Sequence, residues 1–321
     1  MLRRLALALS LSLLLTPLCA SAQTLPQRPL RLVVGFPAGS TTDVVARVLA
    51  QGLGNQVKQS VIVENRPGAA SMIAATNVVQ SAPDGTSLLF GTLPTLSTGT
   101  LNEKLPIDPQ TDLTPVAQVV SAQFMLIAAA DTPAANLAEF MRVLKANPAR
   151  YSFGSSGNGS TIHLAAELFN RGLGVTVLYV PYKGTSEVVQ DLLGKKITYA
   201  FAGLENLQHV KTGALKAYAL SGLKRDPAAP DLPTIGESAL PGYAAATTML
   251  VFGPRGMARP LVEALNQATN RAAASDEFTQ KIRSLGGMLV ISDSTPDSTR
   301  NFVRDEIARW DAIVKTMKIK S

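Results

Sequence analysis

Short apolar runs alternate with segments whose hydrophobic residues recur at helical spacing, and this alternation sets the first picture of the chain. Arg31–Val34 predicts a strand, and Asp43–Gln56 a helix with Val44, Val45, Val48, Leu49 and Leu53 on one face. Strand Val61–Glu64, helix Ser71–Gln80 and strand Ser87–Phe90 follow, with turns at Asn65-Arg66-Pro67-Gly68 and Pro83-Asp84-Gly85. This β-α-β-α-β order implies a parallel sheet covered by helices. After a less regular stretch, 91–115, strands are expected at Val116–Val120 and Met125–Ala130. A second alternation runs through helix Leu137–Ala146, strand Tyr151–Phe153, helix Thr161–Arg171, strand Val175–Val180, helix Ser186–Leu193 and strands Ile197–Phe201 and Leu215–Leu220. Proline-rich 225–241 reads as an extended loop, and Thr247–Phe252 as a strand crossing back. Helices Pro260–Ala274, Glu277–Leu285 and Pro296–Met317, with a strand at Met288–Ile291, finish the chain.

The expected architecture is α/β and two-lobed. Each lobe is a sheet flanked by helices, and two crossing strands join them. Residues 23–121 and 248–321 would form lobe 1, and 122–247 lobe 2. Ligands of such sheets sit beyond the carboxyl ends of the strands.

The first 22 residues stand outside this pattern. Arg3 and Arg4, the apolar stretch Leu5–Leu15 and Ala20-Ser21-Ala22 have the form of a secretory signal peptide cleaved after Ala22. Cleavage would remove Cys19, the one cysteine, and with it any disulfide or thiolate metal site. It would also take basic residues from 30 to 28 against 23 acidic, so the net charge of +7 becomes +5. That mild excess is compatible with anionic ligands. Nucleic acid is disfavoured, because Lys and Arg form no block and aromatics are only 5%. No cofactor is expected.

Two turns of one chemical kind fall at the carboxyl ends of predicted strands. The first is Phe36-Pro37-Ala38-Gly39-Ser40-Thr41-Thr42-Asp43, and the second Gly154-Ser155-Ser156-Gly157-Asn158-Gly159-Ser160-Thr161. Glycine lets the backbone approach a ligand, and hydroxyls add adjustable donors. The first amides of each following helix are free and partly positive, so each turn can cradle an anion. Asp43 is placed to cap its own helix. Thr92, after a strand, is a weaker candidate, and in Pro181-Tyr182-Lys183-Gly184 the phenol of Tyr182 could meet a ligand.

Catalytic motifs are not met. His163 lies beside the serine-rich turn, which suggests a hydrolase, but Asn158 stands where a nucleophile elbow needs glycine, so a packed histidine is the simpler reading. Ile162 replaces the third glycine of a dinucleotide fingerprint, and Val189 the first glycine of a phosphate-binding loop. His163 and His209, 46 positions apart, give no metal spacing.

Taken together, Arg28-Pro29-Leu30-Arg31-Leu32-Val33-Val34, Val63-Glu64-Asn65-Arg66-Pro67-Gly68-Ala69, Gly154–Ser160, Val180-Pro181-Tyr182-Lys183-Gly184, Asp191-Leu192-Leu193-Gly194 and Asp231-Leu232-Pro233-Thr234 resemble the Bug receptors of tripartite tricarboxylate transporters. The resemblance covers essentially the whole mature chain. It implies a non-enzymatic receptor with the two-lobed, type II-like periplasmic binding protein fold, which closes on a small mono- or dicarboxylate and serves membrane permease subunits; the free lobe motion this needs suggests a monomer. A ligand-sensing receptor for a signalling protein is the alternative. Carried over residue by residue, Gly39, Ser40, Thr41 and Asp43 would line one side, and Ser155, Ser156, Gly157, Gly159 and Ser160 the other, with Thr92 at the cleft edge; Phe36 and Tyr182 complete the ligand-binding candidates. The chain departs from the family pattern at Ser40, where a second glycine is usual, at Ala70-Ser71-Met72, around Thr247-Thr248-Met249 and near Thr198. Smaller residues there imply room for a bulkier or aromatic acid.

Overall fold

The structure, a computed structural model, describes residues 25–68, 71–93, 96, 107–157, 160–182 and 184–317. The expected signal peptide, Ala69, Ala70, Asn158, Gly159 and Lys183 lie outside the described residues.

In chain order the first elements are β1 (Leu30–Val34), α1 (Thr41–Val57), β2 (Val61–Asn65), α2 (Met72–Val79), β3 (Ser87–Leu93) and β4 (Leu113–Ala129). Then come α3 (Leu137–Ala146), β5 (Ser152–Ser155), α4 (Thr161–Leu173), β6 (Leu178–Pro181), α5 (Thr185–Leu193), β7 (Tyr199–Gly203), α6 (Leu207–Lys211) and β8 (Leu215–Leu220). The chain ends with α7 (Ile235–Ser238), β9 (Ala246–Pro254), α8 (Arg259–Ala273), α9 (Asp276–Leu285), β10 (Met288–Val290) and α10 (Pro296–Met317).

The strands form one curled sheet in the order β2-β1-β3-β9-β4-β7-β5-β6, with β8 and β10 also paired to β4. In the first half β1 pairs in parallel with β2 and β3. In the second half β5 pairs in parallel with β6 and β7. Strand β4 serves both halves: it pairs with β9 up to Gln123 and with β7 from Phe124 onward.

The sequence predicts two strands where the structure has this single one. The polar Ser121-Ala122-Gln123 stretch looks like a break, but partners from elsewhere carry the strand through it. Gln123 N–H donates to Gly287 O, and the Ser221 hydroxyl accepts the Phe124 amide. The other corrections are local. Strand β6 starts at Leu178 rather than Val175, and the proline-rich loop contains the short helix α7, capped by the Thr234 hydroxyl.

Each half has apolar cores on both faces of its sheet. Val45, Leu49, Leu53 and Phe278 fill one core of the first half, and Val33, Leu89, Phe252 and Ile307 the other. Phe140, Phe153, Phe169 and Tyr199 fill one core of the second half, and Met125, Ile127, Val188 and Leu192 the other. Helix α10 crosses between the halves. Val303 and Ile307 pack in the first, whereas Trp310 is fully buried in the second. The end of α10 therefore packs against the second half of the sheet.

Strand directions position the two turns. Strands β1 and β3 run parallel to β4, because β9 lies antiparallel between β3 and β4. Strands β5 and β7 run against β4. The carboxyl ends of both parallel sets therefore point at the Gln123–Phe124 stretch where the halves meet.

Candidate functional site

Both turns lead into a helix capped by a serine, and in both that serine's N–H donates to the carbonyl three residues before it. At the first, Gly39 takes φ +81°, a left-handed conformation that glycine adopts without strain, and Ser40 N–H donates to Pro37 O over 3.2 Å. Ser40 is the N-cap of α1, its hydroxyl accepting the Asp43 amide at 3.3 Å. At the second, Gly157 takes φ +104° and Ser160 N–H donates to Gly157 O over 3.3 Å. Ser160 is the N-cap of α4, its hydroxyl accepting the His163 amide at 3.3 Å. In each case a carbonyl that would repel an anion is used inside the turn. The N1 and N2 amides, of Thr41 and Thr42 and of Thr161 and Ile162, have no acceptor within their helices. They sit at the positive ends of helix dipoles, suited to a carboxylate.

The braces differ. Asp43 does not cap α1, as the sequence suggested. It is the N3 residue, and its carboxylate reaches back to accept Gly39 N–H at 2.8 Å, a variant of the capping box. The same carboxylate accepts Arg47 Nε at 2.9 Å and Asn65 Nδ2 at 2.8 Å. Asn65 Nδ2 also donates to Phe36 O at 3.0 Å, and Asn65 Oδ1 accepts Arg47 Nη2 at 3.0 Å. Burial of the Asp43 carboxylate, 3% exposed, favours its neutral form, but the bonds from Arg47, Gly39 and Asn65 outweigh that and hold its pKa below the usual value.

Neutral groups hold the second turn. The Ser155 hydroxyl is fully buried, lies 2.8 Å from Tyr179 Oη, and donates to Gly157 O at 3.2 Å. The Tyr179 ring stacks on His163 with centroids 4.3 Å apart and on Phe153 at 5.0 Å. His163 is 3% exposed, and its Nε2 lies 3.8 Å from Glu167 Oε1. Burial pushes its pKa down to about 4, so the imidazole is neutral at pH 7.

Several expected ligand contacts are thus committed within the protein. Asp43 and the Gly39 amide brace the first turn, and Ser155 braces the second. Tyr182 points to the other face of the second sheet, where its phenol donates to Asp191 Oδ2 at 2.8 Å and its ring packs against Gly154. Burial and the Asp191 carboxylate together raise its pKa to about 12. Thr41 stays exposed, while Phe36, Ser40, Ser156, Gly157 and Ser160 are half-buried around the turns. The Thr92 hydroxyl is buried and without a protein partner, on β3 opposite Met249. Gly159 is outside the described residues.

Sequence reasoning missed Arg47, Asn65 and Tyr179. Arg47 could have been found from its i,i+4 spacing to Asp43. Asn65 and Tyr179 are signalled only once β2 is set beside β1 and β6 beside β5. Among the described residues no group of acidic, histidine or cysteine side chains is arranged to hold a metal ion, and no helix is long and apolar enough to cross a membrane.

Residues 45–319 match the model of the tripartite tricarboxylate transporter family receptor. Among solved structures, the periplasmic binding protein BugD is 32% identical, with a TM-score of 0.76 over 92% of this chain and 99% of its own. MatC from Rhodopseudomonas palustris with bound malate is 33% identical, with a TM-score of 0.75 over 90% of this chain and 99% of its own. A further R. palustris protein with adipate is 32% identical, with a TM-score of 0.77 over 91% of this chain and 98% of its own.

Proposed function

The chain belongs to the tripartite tricarboxylate transporter receptor family, and on that premise we propose that it captures a small organic carboxylate between two lobes and hands it to a membrane permease. The observation that carries this reading is the pair of turns at the carboxyl ends of β1 and β5, each opening onto a capped helix N-terminus. The malate and adipate bound by two similar proteins support a carboxylate as the anion. In this reading the backbone amides around Ser40–Thr42 and Gly157–Ile162 grip the acid, aided by the hydroxyls of Ser40, Thr41 and Ser156. Thr92 supplies a further hydroxyl at the edge, and Phe36 an apolar wall.

The lobes of this proposal are 23–121 with 248–321, and 122–247, the end of α10 moving with the second. Contacts to both lobes favour the closed form, because a ligand shifts the equilibrium only by its preference for one state. The protein works in the periplasm after removal of residues 1–22, as a monomer. A sensor role differs only in the membrane partner.

Thermal-shift screening against mono- and dicarboxylates, aliphatic and aromatic, tests the reading. An acid at about 100 times its Kd should add about 2.7 kcal/mol of stability. Absence of a shift with every acid in the panel would sink it. A cleft too narrow for a benzene ring would remove the aromatic acids from the proposal.

A further inference from the structure

The Ser155 hydroxyl has one proton. It has two polar neighbours, the Gly157 carbonyl at 3.2 Å and the Tyr179 phenol at 2.8 Å. A carbonyl can only accept, so the Ser155 proton goes to Gly157, and the phenol must donate into Ser155 Oγ. The result is a one-way relay, Tyr179 to Ser155 to Gly157. It ends on the carbonyl that also accepts Ser160 N–H, so the same oxygen closes the turn and sets the cap of α4.

Tyr179 is itself fixed. Strand β6 is the edge strand and pairs Tyr179 with Phe153. The ring lies against Phe153 and His163, on the opposite face of the sheet from Val180 and Tyr182. A hydroxyl on a clamped ring is a fixed donor, whereas a free serine hydroxyl rotates among its staggered positions.

We propose that Tyr179 is the positioning residue of the second turn: its phenol forces the Ser155 proton onto Gly157 and so keeps that carbonyl turned inward and the turn's amides available to an anion. Tyr179 does not touch the ligand. This inference rests on the receptor reading for its effect on affinity, but the orientation of the turn can be measured without any ligand.

The test is Tyr179→Phe, which keeps the stacked ring and removes only the oxygen. Amide hydrogen exchange of the ligand-free protein should show Ser160 N–H exchanging roughly three- to tenfold faster, the scale of one lost hydrogen bond, while Gly39 N–H in the first turn is unchanged. Ser155→Ala should give the same increase, and the double variant no more than either single one. Unchanged exchange at Ser160 in Tyr179→Phe overturns the proposal, as does full additivity in the double variant. Calorimetric titration with malate, adipate and benzoate gives the second readout. Any of these acids that binds wild type should bind Tyr179→Phe roughly three- to tenfold more weakly. Equal affinity would deny the residue its positioning role. If wild type binds none of the three, that counts against the receptor reading, and hydrogen exchange still decides the relay.

Discussion

The first turn is held by charge and the second by neutral groups, although both lead into a serine-capped helix. Around Gly39 an ionised carboxylate, a guanidinium and an amide side chain close a network at the start of α1. Around Gly157 a phenol and a hydroxyl do the equivalent work above a buried aromatic stack. In both halves the long-range brace comes from the edge strand beside the turn-bearing strand, Asn65 on β2 and Tyr179 on β6. The serine cap is shared, and the brace differs with the core beneath it. Two turns with one task can therefore respond differently to acid and to substitution.

Acid separates them most. The His163 pKa is about 4 in the folded protein and near 6.5 unfolded. Above pH 6.5 the imidazole is neutral in both states and its stability contribution is fully present. As pH falls from 6.5 to about 4 only the unfolded chain takes up the proton, so stability drops, by an amount on the order of 3 kcal/mol across the window. The folded pKa of Asp43 is also depressed, so its contribution is present above its unfolded value of 3.8 and is lost as pH falls through the lower folded value. The second turn should thus lose support in mild acid and the first only below pH 3.8. Urea unfolding at pH 7, 5.5 and 4.5 checks this, and His163→Phe should flatten the upper limb. An unchanged slope in that variant would show that other groups set it.

Asp43→Ala is the next largest effect. It leaves Gly39 N–H, Asn65 Nδ2 and Arg47 without their common acceptor, and should cost about 2 kcal/mol, less than a fully buried pair because Arg47 is half exposed. Denaturant midpoints at pH 7 measure it. A loss as large at pH 3 as at pH 7 would mean that packing, not ionisation, holds the turn.

Glycine substitutions probe the ground under each turn. A Cβ on Gly35 would lie 2.3 Å from Ser71 Cβ and 2.8 Å from its Cα, whereas one on Gly154 meets the flexible end of Ile197 at 2.6 Å. Gly35→Ala should therefore destabilise by about 2 kcal/mol and Gly154→Ala by about 1 kcal/mol, read from thermal midpoints. The reverse order would show that the Ser71 loop yields more easily than the Ile197 side chain.

The smallest effect is expected at Tyr182→Phe. Removal of its bond to Asp191 should lower stability by about 0.5–1 kcal/mol with unchanged exchange at Ser160, in contrast to Tyr179→Phe. Parallel exchange measurements on the two variants would show whether the tyrosines are separate braces.

Much of this arrangement was legible in the sequence, and what was not has a common physical cause. Helical and strand periods, glycine and serine in the turns and the family resemblance all depend on neighbouring residues or on order along the chain. Asp43 was read as a cap because only its helix could be seen; its partner Asn65 is 22 positions away. Tyr182 stands in a recognisable motif and Tyr179 in none, yet the alternation of a strand sends Tyr179 to the face that carries the turn. The polar stretch at 121–123 looked like a break because Gly287 and Ser221, which support it, lie far along the chain.

The place of β9 has a consequence for the order in which the molecule can be made. This strand lies between β3 and β4, so the first sheet keeps a gap until residues 246–254 have been synthesised. A growing chain holds β1 to β3 without the strand that joins them to β4, and α8, which packs over α1, comes later still. The ribosome thus delivers the closing strand of the first half after β5 to β8 of the second. The first sheet, though it begins at residue 30, is therefore closed by a segment more than 200 positions further along the chain.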